Sequence, residues 1–597
     1  MTIIALTYNL DALKINPSLR WIKKNNLLIS VNKNLTPNSV LSETENRFFY
    51  TTSKPIIYQK DINTFKKVPS DYFVEWDSFL KETENCVSSC LIKYLENNET
   101  SISISSSRMG RSRMYYGFSD GIMWLSDNPN EISKRLPNKI INSSVAYSIL
   151  KYGVSPEFLT IYKGIYSVPL ASKITTDNKC LEKYIKNQFI PIDHFNPYYK
   201  LKFNKGNGNI PKTESLLLSS TSFIAKENPI IALSGGVDST LINVLVNKHI
   251  EEPYPAIFLQ SGDNDQELLY AKEAAKNTKA DLIVHKMNSS DYIGSLEFQA
   301  KNLFEPVGET SPLPFGFLFE NNDFSNHTFI DATLADGCYG STSYNSTPFN
   351  KYKSYPNYVL KLNERLASFL KVNKLPFNNK IFPRDSSNVN EYLKLLAIYI
   401  GPFANSWTKK NRINEKSLNE SWNYLYRLLE ETNDQWSKYS LFKMASYAMK
   451  TTTAKVHDLP ISSNTLTIFP FAWKSFLNDQ SNYKWEEKYF EGKIKYPLKK
   501  ILEKYKTEDF IHRKKVGLNF TFNQWINQKD NKNYILEHLN SSNNNLSRLL
   551  FGNNKHTLLI KHFQKNGINS DQHILQLIKS LIMMQRWIDY HQISVGS

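Results

Sequence analysis

The chain has 597 residues, enough for two or three domains with sizeable cores. Hydrophobic residues make up 41% and there are four cysteines, a normal balance for a globular protein and too few thiols for a disulfide scaffold. The net charge is +17, but the lysines are spread among many Asn and Ile residues with no arginine-rich arm, so no nucleic-acid partner is expected.

No apolar run reaches the roughly eighteen residues of a membrane-spanning helix, so no membrane association is expected. The segment Met1-Thr2-Ile3-Ile4-Ala5-Leu6-Thr7-Tyr8 reads as a strand without a basic n-region or a signal-type cleavage site, which predicts a cytoplasmic protein. Cys86 and Cys90 are too far apart for the usual zinc-knuckle spacer and read as free thiols, as do Cys180 and Cys338.

Through the first two hundred residues short apolar stretches alternate with turn residues: Asn26 to Val31, Arg47 to Tyr50, Met114 to Tyr116 and Ile122 to Leu125. This pattern predicts a β-rich domain over residues 1–200. The polar, Gly- and Pro-containing segment from Lys200 to Lys212 reads as a linker into a second domain over 201–597. There strands at Ile230–Leu233, Ala256–Gln260, Leu282–His285 and Thr328–Ile330 alternate with helices at Thr240–Lys248 and Gln266–Asn277, which predicts a parallel sheet wound by helices. Residues 345–455 read as mostly helical. An apolar stripe through Ile574, Leu577, Ile578, Leu581, Met584 and Ile588 predicts a closing helix from His573 to Tyr590.

One run carries chemistry. Ile230-Ile231-Ala232-Leu233 is an apolar strand that ends in Ser234-Gly235-Gly236-Val237-Asp238-Ser239 and passes straight into a helical pattern. A turn of this kind gathers backbone N–H groups at a helix N-terminus, where phosphate binds. Its glycines let the chain approach closely, Ser234 and Ser239 offer hydroxyls, and Asp238 suits Mg²⁺ beside a pyrophosphate. The run resembles the PP-loop of ATP pyrophosphatases, which cleave ATP to AMP and pyrophosphate.

Further segments resemble the asparagine synthetase family, and within it the lasso-peptide macrolactam synthetases (microcin-type cyclases), with β-lactam synthetases as relatives. Arg108-Met109-Gly110-Arg111-Ser112-Arg113-Met114-Tyr115-Tyr116 is similar to that family's Arg-x-Gly hairpin, and Trp124-Leu125-Ser126-Asp127 and Tyr162-Lys163-Gly164-Ile165 are similar to the segments that follow it. The resemblance implies a degenerate N-terminal-nucleophile (Ntn-type) glutaminase fold for the first domain and a PP-loop, adenine nucleotide alpha hydrolase-like α/β fold with helical additions for the second. Glutamine-dependent members carry Cys after Met1; this chain has Thr2, so no glutaminase activity is expected and the amine must come from a substrate.

In the second domain Glu267 precedes Tyr270-Ala271-Lys272-Glu273 as the family's acidic residue precedes its Tyr-Ala helix. Asp336, within Ala335-Asp336-Gly337-Cys338-Tyr339-Gly340, matches the acidic residue that helps hold Mg²⁺ and pyrophosphate, although the family's preceding Gly-Glu-Gly is here Ala332-Thr333-Leu334. Leu233 and Ile257 match positions whose backbone faces adenine, and serve equally well as strand core. Ile468-Phe469-Pro470-Phe471 is similar to the family's Val-Pro-Phe-Leu segment. Lys515, in Arg513-Lys514-Lys515-Val516-Gly517, matches a lysine that contacts the reacting centre, with Trp525 at the family spacing; an ammonium there would stabilise the adenylate and the oxyanion.

The resemblance therefore implies a ligase that uses ATP and Mg²⁺ to adenylate an Asp or Glu side chain of a precursor peptide and close a macrolactam on the peptide's N-terminus, beside a leader peptidase and a leader-binding protein. An amide synthetase acting on a small acid, a tRNA-modifying PP-loop enzyme and a non-catalytic scaffold remain alternatives. The base that deprotonates the amine is not identified by the sequence; Tyr344 is a nearby possibility.

Overall fold

The computed structural model describes residues 3–7, 21–24, 27–31, 40–44, 47–52, 54–68, 76–85, 87–95, 99–109, 112–202, 206–261, 266–340, 389–390, 392–393, 396, 408–429, 435–490, 493–513, 525–540, 545–570 and 572–595. Its N-terminal strands are β1 (Ile3–Thr7), β2 (Trp21–Lys24), β3 (Leu27–Val31), β4 (Val40–Thr44), β5 (Arg47–Thr51), β6 (Ile56–Gln59), β7 (Thr64–Lys67), β8 (Ser89–Tyr94), β9 (Thr100–Ser105), β10 (Tyr115–Ser119), β11 (Ile122–Ser126), β12 (Ile165–Ser167), β13 (Ser172–Thr176) and β14 (Asn196–Pro197). Apart from the β6–β7 hairpin they form two six-stranded antiparallel sheets, ordered β12-β10-β11-β1-β3-β2 and β14-β13-β9-β8-β5-β4.

Because side chains alternate across a strand, a strand buried on both faces must be apolar at consecutive positions. β1 meets that condition: Ile4 and Leu6 pack with Ile29, Phe48, Ile92 and Ile104 between the sheets, while Ile3 and Ala5 face the larger core shared with the helices. The stretch from Arg108 to Tyr116, expected as a hairpin, differs. β9 pairs with β8 and β13, and β10 with β11 and β12, so this stretch carries the chain from one sheet to the other. Arg108 anchors the start of this stretch: its guanidinium is buried and donates to the carbonyls of Leu80 and Thr83.

The second half is built on a parallel sheet of β15 (Pro229–Ala232), β16 (Tyr254–Ser261), β17 (Ala280–Met287), β18 (Thr328–Ile330) and β19 (Leu466–Ile468), in the order β17-β16-β15-β18-β19. Its helices include α1 (Val237–Val246), α2 (Glu267–Ala275) and α3 (Leu313–Asn321). The strands at 230–233, 256–260, 282–285 and 328–330 thus appear where the apolar runs placed them, and the closing helix spans Gln572–Tyr590. From β15 the chain winds outward to β16 and β17, then returns to place β18 on β15's other side. The sheet's topological switch point therefore lies between β15 and β18, and ligands bind outside the carboxyl ends of strands at such a point. None of the described helices is long and apolar enough to cross a membrane.

Candidate functional site

The turn after β15 occupies the switch point, and its shape follows from its residues. Gly235 has φ +68, and a Cβ there would lie 2.5 Å from the Tyr270 carbonyl carbon and 2.6 Å from the Ala271 nitrogen, so only glycine passes. The two serines brace the loop: the Ser234 N–H donates to Ser239 Oγ at 3.1 Å and the Gly236 N–H to Ser234 Oγ at 3.3 Å. Gly236 is the N-cap of α1 and supplies no side-chain cap. The first turn of a helix has N–H groups without intrahelical partners, and an anion at this uncapped end is the ligand that suits them.

The second strand of the crevice, β18, leads into Asp331–Gly340. The Thr333 N–H donates to Asp331 Oδ1 at 2.7 Å. Leu334, which stands where the resemblance leads one to expect a glycine, has φ +74 and caps the short helix α4 (Ala335–Tyr339). A left-handed leucine costs about 1–3 kcal/mol and persists only where its surroundings hold it. Here the side chain is buried and the Asp331 carboxylate fixes the preceding turn. The left-handed backbone is thus formed here without a glycine.

These two loops bring Asp238 and Asp336 to one cation. Lys495 donates to Asp238 Oδ2 at 2.5 Å and contacts Asp336 Oδ1. Burial lowers the lysine's proton affinity, but the two carboxylates more than offset it and hold the pKa well above the ordinary value. Lys495 has φ +56 and opens the helix Tyr496–Leu502. Sequence reasoning missed it: nothing in Lys493-Ile494-Lys495-Tyr496-Pro497 marks the middle residue as the one aimed at the PP-loop. The nearby Lys443 and Lys499 are both held below the ordinary lysine value, chiefly by burial.

Arg513 is a second residue that the sequence did not single out. It forks onto Glu267, with Nη1 to Oε1 at 3.2 Å and Nη2 to Oε2 at 2.7 Å, donates to the Gly235 carbonyl at 3.1 Å, and lies 3.6 Å over the Tyr270 ring. Glu267 thereby anchors the arginine that clamps the phosphate-type turn.

A cavity of about 370 Å³ opens beside this centre. Leu233, Ser234, Asp238, Ser239 and Ile257 line it from the β15–β16 side, Asp331 to Gly337 in part from β18, and Ala448, Thr452 and Lys455 from a helical wall. Leu233 and Ile257 are also strand core: the Leu233 N–H donates to the Ile257 carbonyl at 2.8 Å, so that donor is engaged within the sheet. Tyr447 donates to Glu309, which also accepts from Ser311, a residue that lines the cavity. Lys515, Lys514, Tyr344 and Thr2 lie outside the described residues, while Trp525 is described and buried.

No cluster of three or more His, Cys, Asp or Glu side chains that could hold a metal occurs among the described residues. The donor set that is present still fits Mg²⁺, which takes one or two carboxylates and completes its shell with phosphate and water oxygens. Asp238 and Asp336 already meet at a single compact cation.

The asparagine synthase family model matches residues 223–589, a span that contains every residue of this centre. No curated protein matches the chain.

Proposed function

The chain belongs to the asparagine synthase family and is on that ground an ATP-dependent amide-bond ligase; we propose that it adenylates an Asp or Glu side chain of a precursor peptide and closes a macrolactam with that peptide's N-terminus. The observation that carries the ligase chemistry is the meeting of Asp238 and Asp336 on Lys495, beside an uncapped helix N-terminus, at the sheet's switch point. The choice of a substrate-borne amine rests on Thr2, which stands where glutamine-dependent relatives have the cysteine that releases ammonia.

In the first step a carboxylate oxygen bonds to the α-phosphorus of ATP, and the bridging α–β P–O bond breaks. Pyrophosphate leaves with the bonding pair. The turn from Ser234 to Ser239 receives it through backbone N–H groups, and Lys495 supplies positive charge at its edge. Mg²⁺, held by Asp238 and Asp336 with phosphate oxygens, would neutralise the triphosphate and assist its departure. Arg513 braces the turn by donating to the Gly235 carbonyl.

In the second step the amine nitrogen bonds to the acyl carbon, the acyl C–O bond breaks, AMP leaves, and the amine's proton passes to solvent. Lys515 would stabilise the oxyanion formed on the way. Tethering both ends on one peptide supplies the proximity term, by which the amine reaches the adenylate ahead of water. A leader peptidase that frees the N-terminus and a leader-binding protein that delivers the precursor are the partners this reading requires.

The test is mass spectrometry of a leader-free candidate peptide incubated with the protein, ATP and Mg²⁺, with AMP and pyrophosphate assayed in parallel. Loss of one water from the peptide, coupled to AMP and pyrophosphate release, is the expected result. Release of AMP and pyrophosphate with free aspartate or another small acid, and no change in any peptide, would replace macrolactam closure with small-acid amidation.

A further inference from the structure

We infer that Lys455 is the cation that binds the carboxylate of the acid substrate; this deepens the ligase reading above and rests on it. The helix that carries Lys455 is interrupted twice. π-type turns at Met444–Ala448 and Ala454–Asp458 bracket one α-helical segment, Met449–Thr453. Each π-turn inserts a residue and re-aims the side chains that follow, and such bulges recur at functional sites. Here Ala448, Thr452 and Lys455 are set on the cavity. The same helix is pinned from elsewhere by Lys450, whose buried amino group donates to the Ser155 carbonyl at 2.6 Å and the Pro156 carbonyl at 2.7 Å.

Lys455 differs from the other basic groups around the site. Lys495 is committed to Asp238 and Asp336, and Arg513 to Glu267 and Gly235. Lys455 has no carboxylate partner among the described residues; its contact is the ring of Phe315, whose centroid is 5.6 Å from Nζ. A half-buried ammonium against an aromatic face gains most from an anion that comes with the ligand.

That anion is a carboxylate rather than the nucleotide's phosphates. The phosphates have their own cradle of backbone N–H groups and hydroxyls on the β15 turn. Lys455 belongs to the wall of helix and aromatic rings, with Phe315 and Phe329 lining the same cavity. One ammonium against the Phe315 ring, in a cavity that Phe329 also lines, suits an acid group on an apolar stem, as in an Asp or Glu side chain.

The experiment is pyrophosphate exchange into ATP by the full chain with Mg²⁺, using free L-aspartate, free L-glutamate and peptides bearing a single Asp or Glu. The acid giving most exchange is then titrated against wild type, Lys455→Met and Lys455→Arg, with thermal denaturation confirming that each is folded. Lys455→Met is expected to raise the KM for the acid by roughly 10- to 100-fold and to leave the KM for ATP within about twofold, and Lys455→Arg to recover most of the loss. An unchanged acid KM in Lys455→Met, or a rise in the ATP KM instead, overturns this assignment alone. If wild type exchanges no pyrophosphate with any acid, the ligase reading falls and the assignment falls with it.

Discussion

Two charge clusters invite comparison. One is Lys495 with Asp238 and Asp336 at the switch point. The other lies at the seam between the N-terminal sheets and the helices of the second half: Arg113 and Glu157 from one side, Glu305, Lys450 and Asp458 from the other. In the seam the carboxylates are engaged by the protein itself. Glu157 Oε1 accepts the Leu170 N–H at 2.7 Å and lies 3.5 Å from Arg113; Glu305 accepts the Ile161 N–H at 2.9 Å; Asp458 accepts the Phe304 N–H at 3.2 Å. The space among them is about 40 Å³, room for a water or two. At the switch point, by contrast, the Asp336 side chain is 56% exposed and faces a cavity nine times larger in order of size. A cluster of charges alone therefore does not mark a site. What separates the clusters is the space beside them: the seam's carboxylates are shut in among protein groups, whereas those at the switch point open on a cavity that a ligand can enter.

If that distinction is right, neutralising the open cluster removes chemistry and spares the fold. Asp238→Asn or Asp336→Asn is expected to lower pyrophosphate release by roughly 10³-fold, the scale on which electrostatic transition-state contacts act, while the thermal midpoint moves by only a few degrees. Activity retained within about tenfold in both variants would make this cluster structural too, and the contrast would disappear.

The seam should behave in the opposite way. Arg113→Met leaves Glu157 buried without its cation, and breaking a buried pair in this manner costs about 3–5 kcal/mol. Urea denaturation is expected to show that loss, while the specific activity of the folded fraction under native conditions stays near wild type. A variant of full stability with no activity would mean that the seam takes part in the reaction.

The unequal legibility of the two halves of the site has a physical basis. The turn from Ser234 to Ser239 was readable because its determinants are local: an apolar strand, glycines for a positive φ, hydroxyls, and a helix start, all within a dozen residues. The parallel sheet was readable from the same alternation of apolar strands and helices. Lys495 was not, because its role depends on a left-handed backbone and on two loops brought together by the winding of β15 and β18. The π-turns that set Lys455 on the cavity leave no pattern in Met444 to Asp458 that distinguishes them from ordinary helix. Leu334 shows the converse: a leucine gives no local sign of a left-handed backbone, and its buried surroundings impose one.

A milder change probes the open cluster's frame. Gly235→Ala places a methyl 2.5 Å from the Tyr270 carbonyl carbon at φ +68. The turn must open, at a cost of about 1–3 kcal/mol of strain, and the KM for ATP is expected to rise about tenfold with the acid KM little altered. Titration of ATP at saturating acid checks this. An unaffected ATP KM would mean that the turn does not hold the phosphates.

The smallest effect tests the seam through pH. Burial pushes the Lys450 ammonium down to about 7, with Arg113 adding to the shift and Glu157 and Glu305 opposing it. Between that value and the ordinary 10.5 the unfolded chain holds the proton and the folded chain has released it. The unfolded state then binds more protons, so the unfolding free energy gains a contribution that rises with pH across the window and is lost as pH falls toward 7. From pH 7.5 to 9.0 this adds on the order of 1–2 kcal/mol to the wild type, and Lys450→Met lacks it. Urea midpoints of both proteins at the two pH values measure the difference. Parallel shifts would show that the carbonyls of Ser155 and Pro156 keep Lys450 charged throughout, making the seam an ion cluster at every pH at which the enzyme works.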